Sequence, residues 1–409
     1  MKKLFTIFAI ILFASLSTQN LQSQNFKYDT DSLINAIVSE INQDSVSYYI
    51  EELQNMGTRF LVSPNRKEVA NWLKNQFIKL GITNTVLDSF QCYTNINYPP
   101  ALYYDTTTWQ YNVVARWEGS LYPDEVIVLG GHYDDVLVDG DPMIGAPGAD
   151  DNASGTAAIL ETARAFKATG YIPERTIEFT PFSAEELMNF GDCGSKDYAN
   201  KAANSGKDII MMINNDMIGY TNTSSSIDIT KYSGMEHIAD MAGYICDNYT
   251  NLNAIVSSPH SSGSGDTKYF VQNGFPSTYI MEKQFNPFYH TINDSLTNMD
   301  LNYCTEVIKI SAATIAYYDV SVGIQERNNT TLDMVIYPNP ASNFVKILIP
   351  GIENSKLNIV VSDASGREVH TCLYNNSGSG INVSGWARGL YIVRVDGNGI
   401  YAVGKLAIR

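Results

Sequence analysis

Glu125-Val126-Ile127-Val128-Leu129-Gly130-Gly131-His132-Tyr133-Asp134-Asp135 is a short apolar run that ends in two glycines and then delivers an imidazole and two carboxylates. Residues 125–129 are rich in Val and Ile without strict alternation, which reads as a strand buried on both faces. Outward from it the pattern repeats. Residues 176–180, 209–213 and 278–281 read as further buried strands, while 156–166 and 235–249 carry helical periodicity. Upstream, Tyr49, Leu53 and Met56, then Val69, Trp72, Leu73, Phe77 and Leu80, recur at three- and four-residue steps on either side of the turn Gly57-Thr58-Arg59-Phe60. Strands alternating with helices predict an α/β fold: a mixed, mostly parallel sheet flanked by helices on both faces.

Three of these strands end just before an acid or an imidazole: His132, the pair Glu185-Glu186, and Asp216. In open α/β sheets the carboxyl edge is where sites are built. Two further segments add Asp151, within Asp150-Asp151-Asn152-Ala153-Ser154-Gly155, and His290, within Tyr289-His290-Thr291. Alone, each has an ordinary reading: a strand-end histidine, an acidic helix N-cap, two glutamates at a helix start, an Asn-Asp turn. Together they supply what two divalent ions about 3.5–4 Å apart require, namely one bridging carboxylate, nitrogen and oxygen ligands for each ion, and a free carboxylate to move a proton. His132, Asp151, Glu186, Asp216 and His290 are the candidate metal ligands, and Glu185 is the candidate base. The adjacent Glu185 and Glu186 are the most telling pair, because they repel one another unless a cation lies beside them. Asp134 reads as the carboxylate that reaches back to the His132 ring and fixes its tautomer. Asp294 follows His290 at a distance; His237, His260 and His370 lack an acidic partner at comparable spacing.

The chain has 409 residues, enough for a large core plus a smaller module. Its 43 acidic and 27 basic residues leave a net charge of −16, and no basic stripe offers a surface to nucleic acid. Met1-Lys2-Lys3 and the apolar run 4–16, followed by small and polar residues, have the layout of a secretory signal peptide, taken here as residues 1–23. No segment is long enough for stable membrane insertion. Five cysteines, Cys92, Cys193, Cys246, Cys304 and Cys372, leave at least one thiol unpaired, and buried structural cysteine accounts for them as well as any bridge.

At the site segments the chain resembles the secreted bacterial aminopeptidases of the co-catalytic dizinc exopeptidase family, the leucyl aminopeptidases among them, with glutamate carboxypeptidase and the plasma carboxypeptidases as relatives. The likeness runs from about residue 45 to 318. It implies two zinc ions bridged by Asp151, with Glu186 and His290 completing the pair, His132 and Asp216 on different ions, and Glu185 as general base. It also implies that Tyr289 donates a hydrogen bond to the oxyanion of the tetrahedral intermediate; core packing is the ordinary alternative for this residue. One departure is visible: many relatives carry Ser-Asp-His where this chain reads Gly265-Asp266-Thr267, which alters the wall of the substrate pocket.

Residues 323–332 are a polar linker, and beyond it helical periodicity gives way to short strands at 344–348, 357–362, 368–373, 390–395 and 401–408, broken by turn residues. A small β-sandwich over 333–409 is expected, after a peptidase domain over 24–322. Tyr337-Pro338-Asn339-Pro340-Ala341-Ser342, Asp363-Ala364-Ser365-Gly366, Gly389-Leu390-Tyr391-Ile392-Val393 and the terminal Gly404-Lys405-Leu406-Ala407-Ile408-Arg409 resemble the sorting domain of type IX secretion. That implies export through the periplasm to the surface or medium, with the secretion machinery as a partner; a surface-binding appendage is the ordinary reading of such a module.

The expectation is a secreted, zinc-dependent dizinc exopeptidase, an aminopeptidase acting on peptide or protein substrates by attack of a metal-bridged hydroxide. Glutaminyl cyclase or a carboxypeptidase of the same fold, and an inactive surface-binding protein, stand as alternatives.

Overall fold

The computed structural model describes residues 30–98, 102–138, 140–186, 193–321, 334–349, 357–363, 367–374, 380–397 and 400–409. The expected signal peptide and linker lie outside them. The chain divides into two units, Met1–Tyr317 and Tyr318–Arg409. No helix among the described residues is long and apolar enough to cross a membrane.

In the first unit the elements run α1 (Thr30–Glu40), α2 (Gln43–Asn55), α3 (Arg66–Lys79), β1 (Thr85–Tyr98), β2 (Leu102–Trp117), β3 (Tyr122–His132), α4 (Gly155–Ala168), β4 (Arg175–Phe182), α5 (Gly194–Ser205), β5 (Asp208–Asn215), β6 (Ser226–Thr230), α6 (Glu236–Tyr249), β7 (Asn253–Val256), α7 (Thr267–Gln272), β8 (Ser277–Glu282) and all but the last turn of α8 (Leu301–Ser321). One eight-stranded sheet has the order β1-β2-β4-β3-β5-β8-β6-β7. The pairs β3–β4, β3–β5, β5–β8 and β6–β7 are parallel. The pairs β1–β2, β2–β4 and β6–β8 are antiparallel.

The central strands are buried on both faces, as their unalternating composition requires. Every residue of β4 is buried. Leu129 lies beside Phe179 in the parallel register, and the Phe179 ring meets Phe77 of α3 and Phe166 of α4. Phe182, three residues on and therefore on the opposite face, meets Tyr198 of α5 and Phe270 of α7. Helices thus cover both faces, as expected. The long hairpin β1–β2 left no mark in the apolar pattern. Its strands are dense in Thr, Asn and Tyr, and it is held by an extended antiparallel register rather than by burial on both faces.

The second unit contains two antiparallel sheets. One is three-stranded, built of β9 (Val335–Tyr337), β10 (Phe344–Leu348) and β13 (Ile381–Asn382), in the order β13-β10-β9. The other is four-stranded, built of β11 (Asn358–Asp363), β12 (Glu368–Leu373), β14 (Gly389–Gly397) and β15 (Ile400–Ile408), in the order β12-β11-β14-β15. Val345, Ile347, Ile359, Val361, Val393, Val395 and Leu406 from both sheets form one apolar core.

Candidate metal centre and active site

Three strand ends and two loops bring the acids and imidazoles to the carboxyl edge of the sheet. His132 is the last residue of β3, Glu185 and Glu186 follow β4, and Asp216 follows β5. The close approach of these ends needs residues without side chains. A Cβ on Gly131 would lie 2.7 Å from the Asn215 carbonyl oxygen, and one on Gly155 2.2 Å from the same atom. Among the described residues the non-glycine positions with positive φ are Ala184, Met217 and His290, each at or next to a site residue. Backbone held in that region costs on the order of 1–3 kcal/mol and persists only where surrounding bonds over-determine it.

Those bonds are present. Asp294 accepts the backbone N–H groups of Asp150 and Asp151, both at 3.0 Å. Asp150 is no ligand: its oxygens accept from Gly219 N at 2.7 Å and Asn286 Nδ2 at 2.8 Å. Residues 149–154 form an irregular turn in which Asn152 Oδ1 accepts Gly155 N at 2.8 Å, and no side chain of the acidic pair caps α4. Below the loops lies Arg59, buried, pairing with Asp135 at 3.1 Å and donating to the carbonyls of Leu53, Tyr133, Pro147 and Gly148. The sequence reading took this residue as part of a turn. Burial pushes the Asp135 carboxyl up to about 7 even with that guanidinium beside it.

The centre is organised around one carboxylate. Asp151 Oδ1 lies 3.3 Å from His132 Nε2, and Asp151 Oδ2 lies 3.1 Å from His290 Nε2. Asp216 Oδ1 stands 3.4 Å from His132 Nε2, whereas Glu186 Oε2 stands 2.8 Å from His290 Nε2. Two donor sets follow: His132 with Asp216, and His290 with Glu186, sharing Asp151. This corrects the expectation that His132 and Asp216 serve different ions. Asp216 follows β5, the immediate neighbour of β3, so the two side chains are placed side by side. Asp134 has two tasks. Its backbone carbonyl faces His132 Nδ1 at 3.1 Å and its carboxylate lies 3.6 Å from that nitrogen, while the same carboxylate accepts the N–H groups of Glu185 at 3.0 Å and Glu186 at 3.3 Å. It orients the glutamate pair as well as the imidazole.

The residues fit metal ions. Bonds of about 2.0–2.2 Å in a tetrahedral shell put neighbouring donor atoms roughly 3.3–3.6 Å apart; the His132 set has this spacing at 3.3 and 3.4 Å, and the His290 set is tighter at 3.1 and 2.8 Å. Donor atoms of His132, Asp151 and Glu186 all lie within 4.8 Å of one another. Glu186 Oε1, Asp216 Oδ1 and His290 Nε2 are buried without a hydrogen bond. Burial, and then the Asp151 carboxylate, push Glu186 up to about 8. Burial opposes a charged His290, yet Glu186 and Asp151 hold it up at about 10. Glu185, raised well above the carboxylate range by burial and by Asp266, Asp216 and Glu186 against the pull of His132, sits with Oε2 3.9 Å from His132 Nε2. Such a surplus of buried carboxylates is relieved by cations.

Tyr289 is not a core residue. It is 37% exposed, with its ring stacked on the His290 imidazole and edge-on to Phe285. Two neighbours of the centre lie outside the set of candidate ligands and base. Tyr279, on β8, donates its hydroxyl to Asp216 Oδ2 at 2.8 Å. Asp266 is fully buried, with its carboxyl pushed up to about 7 by burial. A tyrosine inside a predicted buried strand, at 278–281, was the available signal for the first.

Imidazoles and carboxylates gathered in this way on this edge of a helix-flanked sheet are the layout of metal-dependent hydrolases. Residues 112–315 form a peptidase family M28 domain, the stretch that the family model matches. Residues 335–409 match the secretion system C-terminal sorting domain. A probable aminopeptidase of Saccharomyces cerevisiae is 28% identical over 296 residues, covering 68% of this chain and 73% of its own length. The LapA aminopeptidase of Legionella pneumophila superposes with a TM-score of 0.59 at 20% identity, covering 78% of this chain and 80% of its own. A zinc aminopeptidase of Bacillus subtilis superposes at 0.55 with 15% identity, covering 68% and 95%.

Proposed function

We propose that the chain is a secreted aminopeptidase that releases residues from the amino end of peptides, using two zinc ions and Glu185 as general base. The observation that carries this reading is the placement of Asp151, whose two oxygens face two separate imidazole-carboxylate sets. His132, Asp151 and Asp216 would hold one ion, and Asp151, Glu186 and His290 the other. Zinc, when bound, supplies Lewis acidity toward a scissile carbonyl and lowers the pKa of water. The yeast relative is described as a probable aminopeptidase, the Legionella structure as an aminopeptidase and the Bacillus structure as a zinc aminopeptidase.

The chain's own groups do the rest. Glu185, tethered through its backbone N–H to Asp134, keeps its carboxylate free beside His132 to take a proton from the attacking water and return it to the leaving amine. Tyr289, fixed by its stack on His290, donates its hydroxyl to the oxyanion. The excess of carboxylates, including Asp266, favours a substrate's ammonium end. The signal-like amino terminus and the sorting domain support export by the type IX route, with peptides met outside the cell as substrates.

Metal analysis of purified protein together with a panel of aminoacyl amides, amine-blocked amides and dipeptides tests the reading. Two zinc ions per chain are expected, with turnover of free-amine substrates only. Glu185→Gln is expected to lose about 10²–10⁴-fold in kcat with both ions retained. One ion per chain, or equal turnover of blocked amines, would overturn it.

A further inference from the structure

Asp216 meets its surroundings through two unlike oxygens. Oδ2 accepts the Tyr279 hydroxyl at 2.8 Å, while Oδ1 is buried, makes no hydrogen bond and stands 3.4 Å from His132 Nε2. The sheet register produces this asymmetry. Tyr279 pairs with Asn214 across β5–β8, and Asp216 lies two residues beyond Asn214, where an extended chain sends its side chain to the same face.

Gly265 is part of the same arrangement. It has φ +47°, and a Cβ there would lie 2.8 Å from Tyr279 Cε2 and 3.5 Å from Asp216 Oδ2. The phenol ring occupies the space that a side chain at position 265 would need. The glycine at this position, the chain's departure from Ser-Asp-His, and the tyrosine on β8 are therefore one feature.

We infer that Tyr279 is a positioning residue for the metal pair: its hydroxyl saturates one oxygen of Asp216, so that Asp216 serves the His132-side ion through Oδ1 alone, and Gly265 provides the room. The inference rests on the reading of Asp216 as a ligand. An outer hydrogen bond of this kind governs both the orientation of a ligating carboxylate and the affinity of its ion, and its loss costs typically 10–100-fold.

Tyr279→Phe removes only the hydroxyl. Titrating apo-protein with zinc against a chromophoric chelator is expected to find one of the two ions held about 10–100-fold more weakly and the other unchanged, with the melting temperature of the apo-protein unmoved. In cobalt-substituted protein the visible absorption is expected to weaken as the second Asp216 oxygen becomes free to coordinate. Gly265→Ala, which drives a methyl into the ring, is expected to loosen the same ion. Asp216→Ala separates the two ideas. If it binds as many ions as the wild type, the ligand assignment itself fails. If it loses one ion while Tyr279→Phe keeps both affinities, the positioning role alone fails. A rise in KM for Tyr279→Phe with both zinc affinities intact would make the residue a substrate contact and also overturn the inference.

Discussion

Asp150, Asp151, Asp216, Asp266, Asp294 and Arg59 are all buried in the first unit, whereas the buried residues described between Ala341 and Ile408, in the all-β part of the second, are aliphatic or tyrosine. The positive-φ residues Ala184, Met217 and His290 also belong to the first unit. The second unit's strands alternate simply, as in the buried-exposed pattern of β10. A surface built for chemistry must bury charge and hold awkward backbone, and it survives by interlocking hydrogen bonds. The module that matches a sorting domain is held by its apolar core.

The contrast makes the two units fail differently. Zinc removal should give the largest effect and be confined to the first unit: with free zinc about a thousand-fold above Kd, each ion contributes about 4 kcal/mol of stability. Calorimetry with and without chelator should move one transition and leave the other; equal shifts in both would break the comparison.

A matched pair of substitutions comes next. Arg59→Met leaves Asp135 and four carbonyls without their buried partner and should destabilise the first unit by about 3–5 kcal/mol. Leu406→Ala, in the other core, should cost about 2–5 kcal/mol with kcat unchanged. Activity loss from Leu406→Ala would show that the units are not energetically separate.

The smallest effect concerns the five cysteines, none of which is held in a disulfide among the described residues. Burial pushes Cys193 up to about 12 and Cys246 up to about 11, which suppresses the reactive thiolate at neutral pH. Cys92 and Cys304 are buried as well, and Cys372 is the half-exposed one. Disulfide-exchange titration of native protein at pH 8 should therefore modify Cys372 first and the other four only on unfolding. Early reaction of Cys193 would mean that the loops behind the centre open.

Legibility followed burial. Strands β3 and β5 were readable because burial on both faces leaves runs of apolar residues, β4 and β8 because β-branched and aromatic residues are dense in them, and helices α2, α3, α4 and α6 because one apolar face repeats with the helical period. The hairpin β1–β2 was not, since Thr, Asn and Tyr serve as well in a loop as in an edge strand. At the centre, charge at strand ends pointed to His132, Glu185, Glu186 and Asp216. Arg59 and Tyr279 were invisible because their partners, Asp135, the carbonyls and Asp216, lie far away in the chain.

The sequence by itself determined the helix-flanked α/β sheet, the all-β tail and the set of acids and imidazoles at one sheet edge, because periodicity and strand ends are local properties. Only the tertiary structure decided how those groups pair: His132 with Asp216, His290 with Glu186, Asp134 to the glutamate amides, Tyr279 to Asp216. Pairing depends on strand order and on distances of a few ångströms between residues remote in the chain, and spacing along the chain does not encode either.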